Sequence, residues 1–309
     1  MRTTRFFGLR RHAWRIRRSA PRIARPASRI LPRFRPPVEP IFVLGCPRSG
    51  TSVLLEGLLQ SRKLKSVHGE AHILWDEFHH PRDRGWDSDA LHADDVLDRE
   101  RDYIYCAIAA FARGSRFVDK TPANCLRVGY LEELFPDARF VHLRRRGAEN
   151  VNSLMEGWKA RPRFVRHRLP EPLAGLGPLS GNAWSFVLVP GWRDLRDAPL
   201  EEICARQYLA CNEAVLDARQ KMNAGRWVDV TYEDLVSSPV EELARIYGEL
   251  GVEFTRGARK SASRLPLDRT RTTLTEPRPG KWRDQNPDAI RRVLPLLAEI
   301  EDRLGYRPT

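Results

Sequence analysis

The 309-residue chain has no run of about 18 apolar residues, which excludes a membrane-crossing helix. Its five cysteines, Cys46, Cys106, Cys125, Cys204 and Cys211, are odd in number and include no C-x-x-C pair. That argues against a disulfide framework and a zinc knuckle, and favours a reducing compartment. The basic N-terminus is not followed by an apolar stretch of seven or more residues, so a secretory signal is not expected, although an Arg-rich, acid-poor start resembles an organelle transit peptide. Internal repeats are missing too. With 41% hydrophobic and 30% charged residues the chain is not disordered throughout, and its length suits one large α/β domain or two small ones.

Positive charge is plentiful but concentrated. The net charge is +13, yet residues 1–40 hold twelve arginines, no lysine and a single acid, Glu39, so eleven of those charges lie there and the remainder of the chain is nearly neutral. Six prolines between Pro21 and Pro40 interrupt any helix in this stretch. Residues 1–39 therefore read as an Arg/Pro-rich flexible arm ahead of a domain over 40–309. The arm could meet an anionic membrane surface, and no specific nucleic acid is expected.

Within the domain, short apolar strands alternate with helices. Ile41-Phe-Val-Leu44 reads as a buried parallel strand, and Val53, Leu54, Leu55, Leu58 and Leu59 continue it with helical spacing. Strands are expected at 116–119, 139–143 and 227–231, and helices over 123–134, near 149–158, over 240–250 and over 287–304. Repeated strand–helix units imply an α/β fold, a P-loop-like parallel β-sheet flanked by helices on both faces in a single domain. Residues 159–198 break the pattern with five prolines and four glycines. They read as an irregular insertion, either a substrate-covering loop or a variable surface excursion.

Gly45-Cys-Pro-Arg-Ser-Gly-Thr-Ser52 stands between the first strand and its helix, where a phosphate loop belongs. It keeps the two glycines and the terminal hydroxyls of a Walker loop but lacks the Lys that reaches a γ-phosphate. The cation is Arg48, and the backbone N–H groups of Ser49 to Ser52 can hold a phosphate with help from the helix dipole. The terminal group bound there is thus expected to be something other than a γ-phosphate.

Pro47-Arg-Ser-Gly-Thr-Ser52 resembles the 5′-phosphosulfate loop of sulfotransferases that use 3′-phosphoadenosine 5′-phosphosulfate (PAPS). Further blocks extend the resemblance over about residues 40–306: Asp119-Lys-Thr-Pro122, Leu134-Phe-Pro-Asp-Ala-Arg-Phe-Val-His-Leu143, Arg145 with Ser153, Thr231-Tyr-Glu-Asp-Leu235, and Pro279-Gly-Lys-Trp-Arg283. These blocks are most similar to the bacterial and protein-tyrosine branches. The resemblance implies a nucleotide site of Pro47, Arg48, Ser49, Gly50, Thr51, Ser52, Arg145, Ser153, Tyr232 and Lys281. Arg145 and Ser153 would take the 3′-phosphate, Tyr232 would lie near the adenine, and Lys281 would touch phosphate. It also implies PAPS as co-substrate, 3′-phosphoadenosine 5′-phosphate (PAP) as product, and a hydroxyl-bearing acceptor such as a sugar, a lipid or tyrosine.

Sulfuryl transfer needs a base for the acceptor proton and cations where charge develops. The resemblance gives Arg48 and Lys120 as the cations and Glu70, in Ser66-Val-His-Gly-Glu-Ala-His72, as the base. No metal is expected. His68 and His72 have i, i+4 spacing but lack a third ligand, and His142 reads as a core histidine. Two other readings stay open. One is a P-loop kinase or NTPase with Asp119 on magnesium; the other is an adaptor acting through the arm. The expected location is cytoplasmic, with the arm able to hold the protein at a membrane periphery. Removal of residues 1–39 should leave a cooperative thermal unfolding transition and turnover of a dissolved acceptor, while reducing pelleting with anionic vesicles; loss of the folded state would sink the arm assignment.

Overall fold

Ile41-Phe-Val-Leu44 is buried along its whole length because both its faces are covered. The computed structural model describes residues 36–67, 69–265 and 272–307. In chain order it holds β1 (Ile41–Leu44), α1 (Thr51–Leu58), β2 (Leu64–Lys65), α2 (His72–His79), α3 (Asp98–Ala112), β3 (Arg116–Asp119) and α4 (Val128–Leu134). There follow β4 (Arg139–Arg144), α5 (Gly147–Lys159), β5 (Val165–Leu173), β6 (Gly181–Ser185), α6 (Leu200–Gln220) and β7 (Trp227–Thr231). The C-terminal part is α7 (Tyr232–Ser237), α8 (Pro239–Glu249), α9 (Arg256–Ala262), α10 (Trp282–Gln285) and α11 (Pro287–Arg303).

Five strands form one parallel sheet in the order β2-β3-β1-β4-β7. Pairing sets Phe42 beside Phe140, Val43 beside Val141 and Val141 beside Val228, so successive residues of neighbouring strands send side chains to opposite faces together. Ile41, Val43, Val141 and Val228 pack with Leu54 and Leu58 of α1 and Leu243 and Ile246 of α8. Phe42, Phe117 and Phe140 lie on the other face with α4, α5, α6 and α11. The fold is therefore the expected single α/β domain. Because α1 leaves β1 toward one face while α4 leaves β3 toward the other, a crevice opens at the carboxyl edge between them.

Local chemistry fixes the helix starts. Thr231 and Thr255 accept hydrogen bonds from Asp234 N and Ala258 N, at 3.0 and 3.2 Å, and cap α7 and α9. Pro239 and Pro287 occupy the first positions of α8 and α11, where a missing N–H costs nothing. In α11, Ile290, Val293, Leu297 and Ile300 recur every three or four residues and are the buried stripe.

Three expectations need correction. Residues 123–134 are not one helix: Pro122–Arg127 is a tighter 3-10 turn, since Arg127 turns inward and its Nε donates to Asp89 O at 2.7 Å. Residues 159–198 are not irregular throughout, because β5 and β6 pair as an antiparallel hairpin. Its prolines are tolerated because a two-stranded sheet has only edges and the register is broken between Arg168 and Leu173. Buried Asp89 anchors that hairpin, accepting from Leu188 N at 2.8 Å and lying 3.2 Å from His167 Nε2. Finally, Glu39 is tied to the domain rather than the arm, donating its N–H to Asp137 Oδ2 at 2.8 Å.

His142 is a core residue of β4, fully buried, and burial together with the nearby Arg144 charge pushes its pKa down to about 4. The unfolded chain takes up this proton near the ordinary pKa of about 6.5, so stability should fall as pH drops from about 6.5 toward 4, by up to about 3 kcal/mol. Urea titrations of His142→Leu should show a shallower loss over that window than the wild type; equal slopes would remove His142 from the account.

Candidate active site

The loop from Gly45 to Ser52 turns β1 directly into α1, and its backbone is built for that turn. Arg48 and Gly50 have φ of 71° and 111°. A Cβ at Gly50 would stand 2.4 Å from Cδ2 of Tyr232, so the position requires glycine on both conformational and steric grounds. The loop is held from below: Gly45 N lies 3.1 Å from Cys125 Sγ, Ser49 N donates to Cys46 O at 3.0 Å, and Asn150 Nδ2 donates to Pro47 O at 2.8 Å. The first N–H groups of α1 have no intrahelical acceptor, and Gly50, Thr51 and Ser52 line a cavity of about 990 Å³.

Cations converge on this loop. Arg145, which follows β4, donates from Nη1 to Arg48 O at 2.9 Å and lays its guanidinium 4.3 Å from the centre of the Tyr232 ring. Arg48 Nε donates to Ser153 Oγ of α5 at 3.3 Å, and its Nη1 donates to Thr272 O at 2.6 Å. Burial, then the Arg145 and Arg163 charges, lower the Arg48 pKa to about 10. Lys281 lies on the same wall, with Nζ donating to Glu276 O at 2.9 Å and to the Thr275 hydroxyl, and burial followed by the Arg145 charge lowers its pKa also. Like charges pressed together at one end of a cavity mark an anion site.

On the same cavity wall Lys120 Nζ donates to Glu70 Oε1 at 2.7 Å, and His72 Nε2 lies 2.9 Å from Glu70 Oε2. Burial alone would raise the Glu70 pKa, but the Lys120 charge and His72 outweigh it and hold the carboxyl well below the usual range. The Asp119-Lys-Thr-Pro turn fixes this group. Asp119 is fully buried and accepts from Trp75 Nε1, Thr121 Oγ1 and Asn124 Nδ2 at 2.9, 3.0 and 2.8 Å, while Thr121 Oγ1 accepts from Ala71 N at 2.8 Å. Asp119 is thus a structural hub.

Of the sequence-derived residues, Pro47, Arg48, Gly50, Thr51, Ser52, Glu70, Lys120, Arg145, Ser153, Tyr232 and Lys281 all border the one cavity. Ser49 does not: it is buried, its Oγ lies where a Cβ on Gly45 would fall 2.8 Å away, and its N–H is spent inside the loop. Tyr232 has one ring face covered by Arg145 and an edge against Gly50, so it braces the loop. His68 lies outside the described residues. His72, Thr272, Phe164 and Phe186 border the cavity without having been singled out as site residues from sequence; only His72, two residues from Glu70, offered a local signal. Among the described residues no three His, Cys, Asp or Glu side chains converge as a metal site, and no helix is long and apolar enough to cross a membrane.

A model of the sulfotransferase family matches residues 40–169 and 182–256. The chain belongs to the sulfotransferase family. The solved structures it is similar to include sulfotransferase STF9 of Mycobacterium avium, at 18% identity and a TM-score of 0.56 over 91% of this chain and 80% of that one. A sulfotransferase domain from the curacin biosynthetic pathway matches at 17% identity and 0.52, over 89% of this chain and 100% of that one. A sulfotransferase of Alicyclobacillus acidocaldarius matches at 16% and 0.50, over 89% and 97%. At these identities the likeness is one of fold. An uncharacterized protein of Aquifex aeolicus is 31% identical over 128 residues, which is 38% of this chain and 17% of that protein. The family match omits residues 170–181, which are the end of β5, the turn and the first residue of β6, and the segment bearing Lys281.

The brace on the loop can be tested. Gly50→Ala should destabilise the fold by about 2 kcal/mol, the sum of a strained φ and the Tyr232 contact. Adding Tyr232→Ala should recover only part of that loss in a thermal double-mutant cycle, because the left-handed backbone remains; additive losses would show that the two residues do not interact.

Proposed function

We propose that this sulfotransferase moves the sulfuryl group of PAPS to a hydroxyl acceptor by in-line transfer, with Glu70 as general base. The observation that carries the reading is the pairing of Lys120 with Glu70 at 2.7 Å in the cavity that also receives Arg48 and Arg145. A bisphosphorylated nucleotide suits these residues. The unspent N–H groups of the α1 N-terminus and Arg48 match a 5′-phosphosulfate. Arg145, whose buried Nε lacks a partner among the described residues, and the Ser153 hydroxyl match a 3′-phosphate.

PAPS supplies an activated sulfuryl group on a phosphate leaving group; the chain supplies the rest. Glu70 accepts the acceptor proton, Lys120 and Arg48 offset charge on the sulfonate and bridging oxygens, and Thr121 keeps the Glu70 segment in place. A kinase reading would need Asp119 on magnesium, but its oxygens are committed to Trp75, Thr121 and Asn124. The acceptor is a sugar, lipid or tyrosine hydroxyl, and the Arg-rich arm ahead of Glu39 is assigned to an anionic membrane surface, with the protein held cytoplasmic.

PAP should raise the melting temperature far more than AMP, and Arg145→Ala should close most of that gap; equal shifts in the wild type would refute the 3′-phosphate assignment. Calorimetry should show near-normal PAP affinity for Glu70→Gln and Lys120→Ala, with turnover reduced at least about 100-fold. Since the Glu70 pKa is lowered, its carboxylate persists as pH falls, and kcat/KM should show no Glu70 limb between pH 5 and 8. A limb there that vanishes in His72→Gln would move the base to His72.

A further inference from the structure

Many surface arginines of the domain are balanced by a neighbouring acid, as Arg101 is by Glu133, Arg245 by Glu242 and Glu249, and Arg303 by Asp217. One face departs from this. Residues 57–67, which carry the turn from α1 into β2, hold Arg62, Lys63 and Lys65 and no acid. Residues 250–265, which include α9, hold Arg256, Arg259, Lys260 and Arg264 against the single acid Glu253. All of these basic residues are exposed, and none pairs with a carboxylate among the described residues. The two segments lie side by side. The Arg259 guanidinium is 5.2 Å from the centre of the Phe254 ring, Phe254 packs 5.1 Å from Tyr247, and the Tyr247 hydroxyl donates to Leu58 O at 2.8 Å, at the start of the basic turn. A Cβ on Gly57 would meet Leu265 Cδ1 at 3.2 Å. Arg116 ties this face to the point where the chain enters the domain: its N donates to Lys63 O at 2.9 Å, its Nη1 to Leu250 O and its Nε to Glu39 O.

We propose that this basic face, continuous with the Arg-rich arm, docks the folded domain on an anionic lipid bilayer. The proposal deepens the arm assignment above and rests on it for the nature of the surface. Like charges gathered without counter-charges repel one another, and a layer of anionic headgroups supplies the missing counter-charge over a broad area. The sequence ahead of the domain interleaves its twelve arginines with Phe6, Phe7, Trp14, Ile16, Ile30 and Phe34, a basic and apolar mixture that suits the boundary between headgroups and acyl chains. Val38, 76% exposed, carries that mixture to the edge of the domain. A nucleic acid would draw on the charges but not on the apolar residues, and the face offers no open ring for base stacking, since Arg259 covers Phe254. Glu39 and the amino ends of β1, β3 and β4 meet on this side, whereas the crevice opens at the carboxyl edge, so docking here leaves the cavity uncovered.

The full-length protein would be pelleted, at physiological ionic strength, with sucrose-loaded vesicles of phosphatidylcholine alone and of an equal mixture of phosphatidylcholine and phosphatidylserine. The wild type should pellet with the mixed vesicles only. A triple variant, Lys63→Gln with Arg259→Gln and Lys260→Gln, should bind them at least about tenfold more weakly, each basic residue near the surface being worth up to about fivefold. A second triple, Arg168→Gln with Arg206→Gln and Arg291→Gln, removes the same charge from other faces and should stay within about twofold, because screening confines the attraction to charges close to the lipid. Circular dichroism and thermal unfolding should match the wild type in both. Lys63→Gln and Lys260→Gln singly, each expected to lose about threefold, carry the same test if the first triple misfolds. Equal losses in the two triples, or unchanged binding in the first, overturn the proposal and leave the arm assignment standing. Failure of the wild type to pellet with the mixed vesicles overturns both. A first triple that loses a short DNA duplex while keeping the vesicles makes the partner of this face a nucleic acid and overturns the lipid.

Discussion

The chain has to leave the carboxyl end of β1 and enter α1 within a few residues, and the site is built around that turn. Two consecutive demands follow. The backbone must go left-handed at Arg48 and Gly50, and the N–H groups of the first helical turn must be left pointing outward. Neither is stable without support, so other elements brace the loop. Cys125 from the 3-10 turn after β3, Asn150 from α5 and Tyr232 from the end of β7 each touch it, and Arg145 joins Tyr232 to the Arg48 carbonyl. Three sheet connections thus share the work of holding one peptide segment open.

The electrostatics carry a cost that explains the site's purpose. Burial first, and then the Arg145 and Arg163 charges, lower the Arg48 pKa to about 10 and so disfavour its charged form. An anion at the loop would offset the part that comes from the like charges, which makes affinity a property of the cluster rather than of any one contact. The Lys120–Glu70 pair is balanced instead of strained, because Lys120 is neutralised by Glu70 and both Glu70 oxygens have a cationic or ring-nitrogen partner. The cavity thus holds a like-charged cluster and a neutralised pair side by side in its lining.

The fold was legible because parallel strands buried on both faces leave continuous apolar runs, and Ile41–Leu44, Arg139–Arg144 and Trp227–Thr231 stand where those runs are. Helix α6 was not singled out, although it spans Leu200–Gln220, because its buried face interleaves Glu201, Gln207 and Asn212 with Ile203, Cys204, Tyr208, Cys211 and Val215, which weakens the apolar period. The phosphate loop and the Asp119-Lys-Thr-Pro turn could be read because each is contiguous in sequence. Phe164 and Phe186 could not: they meet only after β5 and β6 pair, and nothing within 159–198 announces that pairing. Ser49 was expected to offer its backbone N–H, but the turn spends that N–H on Cys46 O at 3.0 Å, a local bond that spacing alone does not announce.

This division between contiguous and assembled parts has a mechanical consequence. The loop after β1 and Arg145 after β4 are attached to the sheet edge, whose strands are buried on both faces and cannot shift singly, whereas Lys281 sits on the separate segment before α10. Phe164 and Phe186 flank instead a two-stranded hairpin held by Asp89, by Gln207 through Ser185 O and Val187 O, and by Arg161 through Leu179 O and Ala183 O, and its distal residues 170–181 lie outside the stretch shared with the family. The Arg48 guanidinium lies 5.1 Å from the centre of the Phe164 ring, so a substitution in the hairpin reaches the loop after β1 as well. The hairpin and the sheet edge are thereby coupled at the cavity wall, although they are different pieces of the fold.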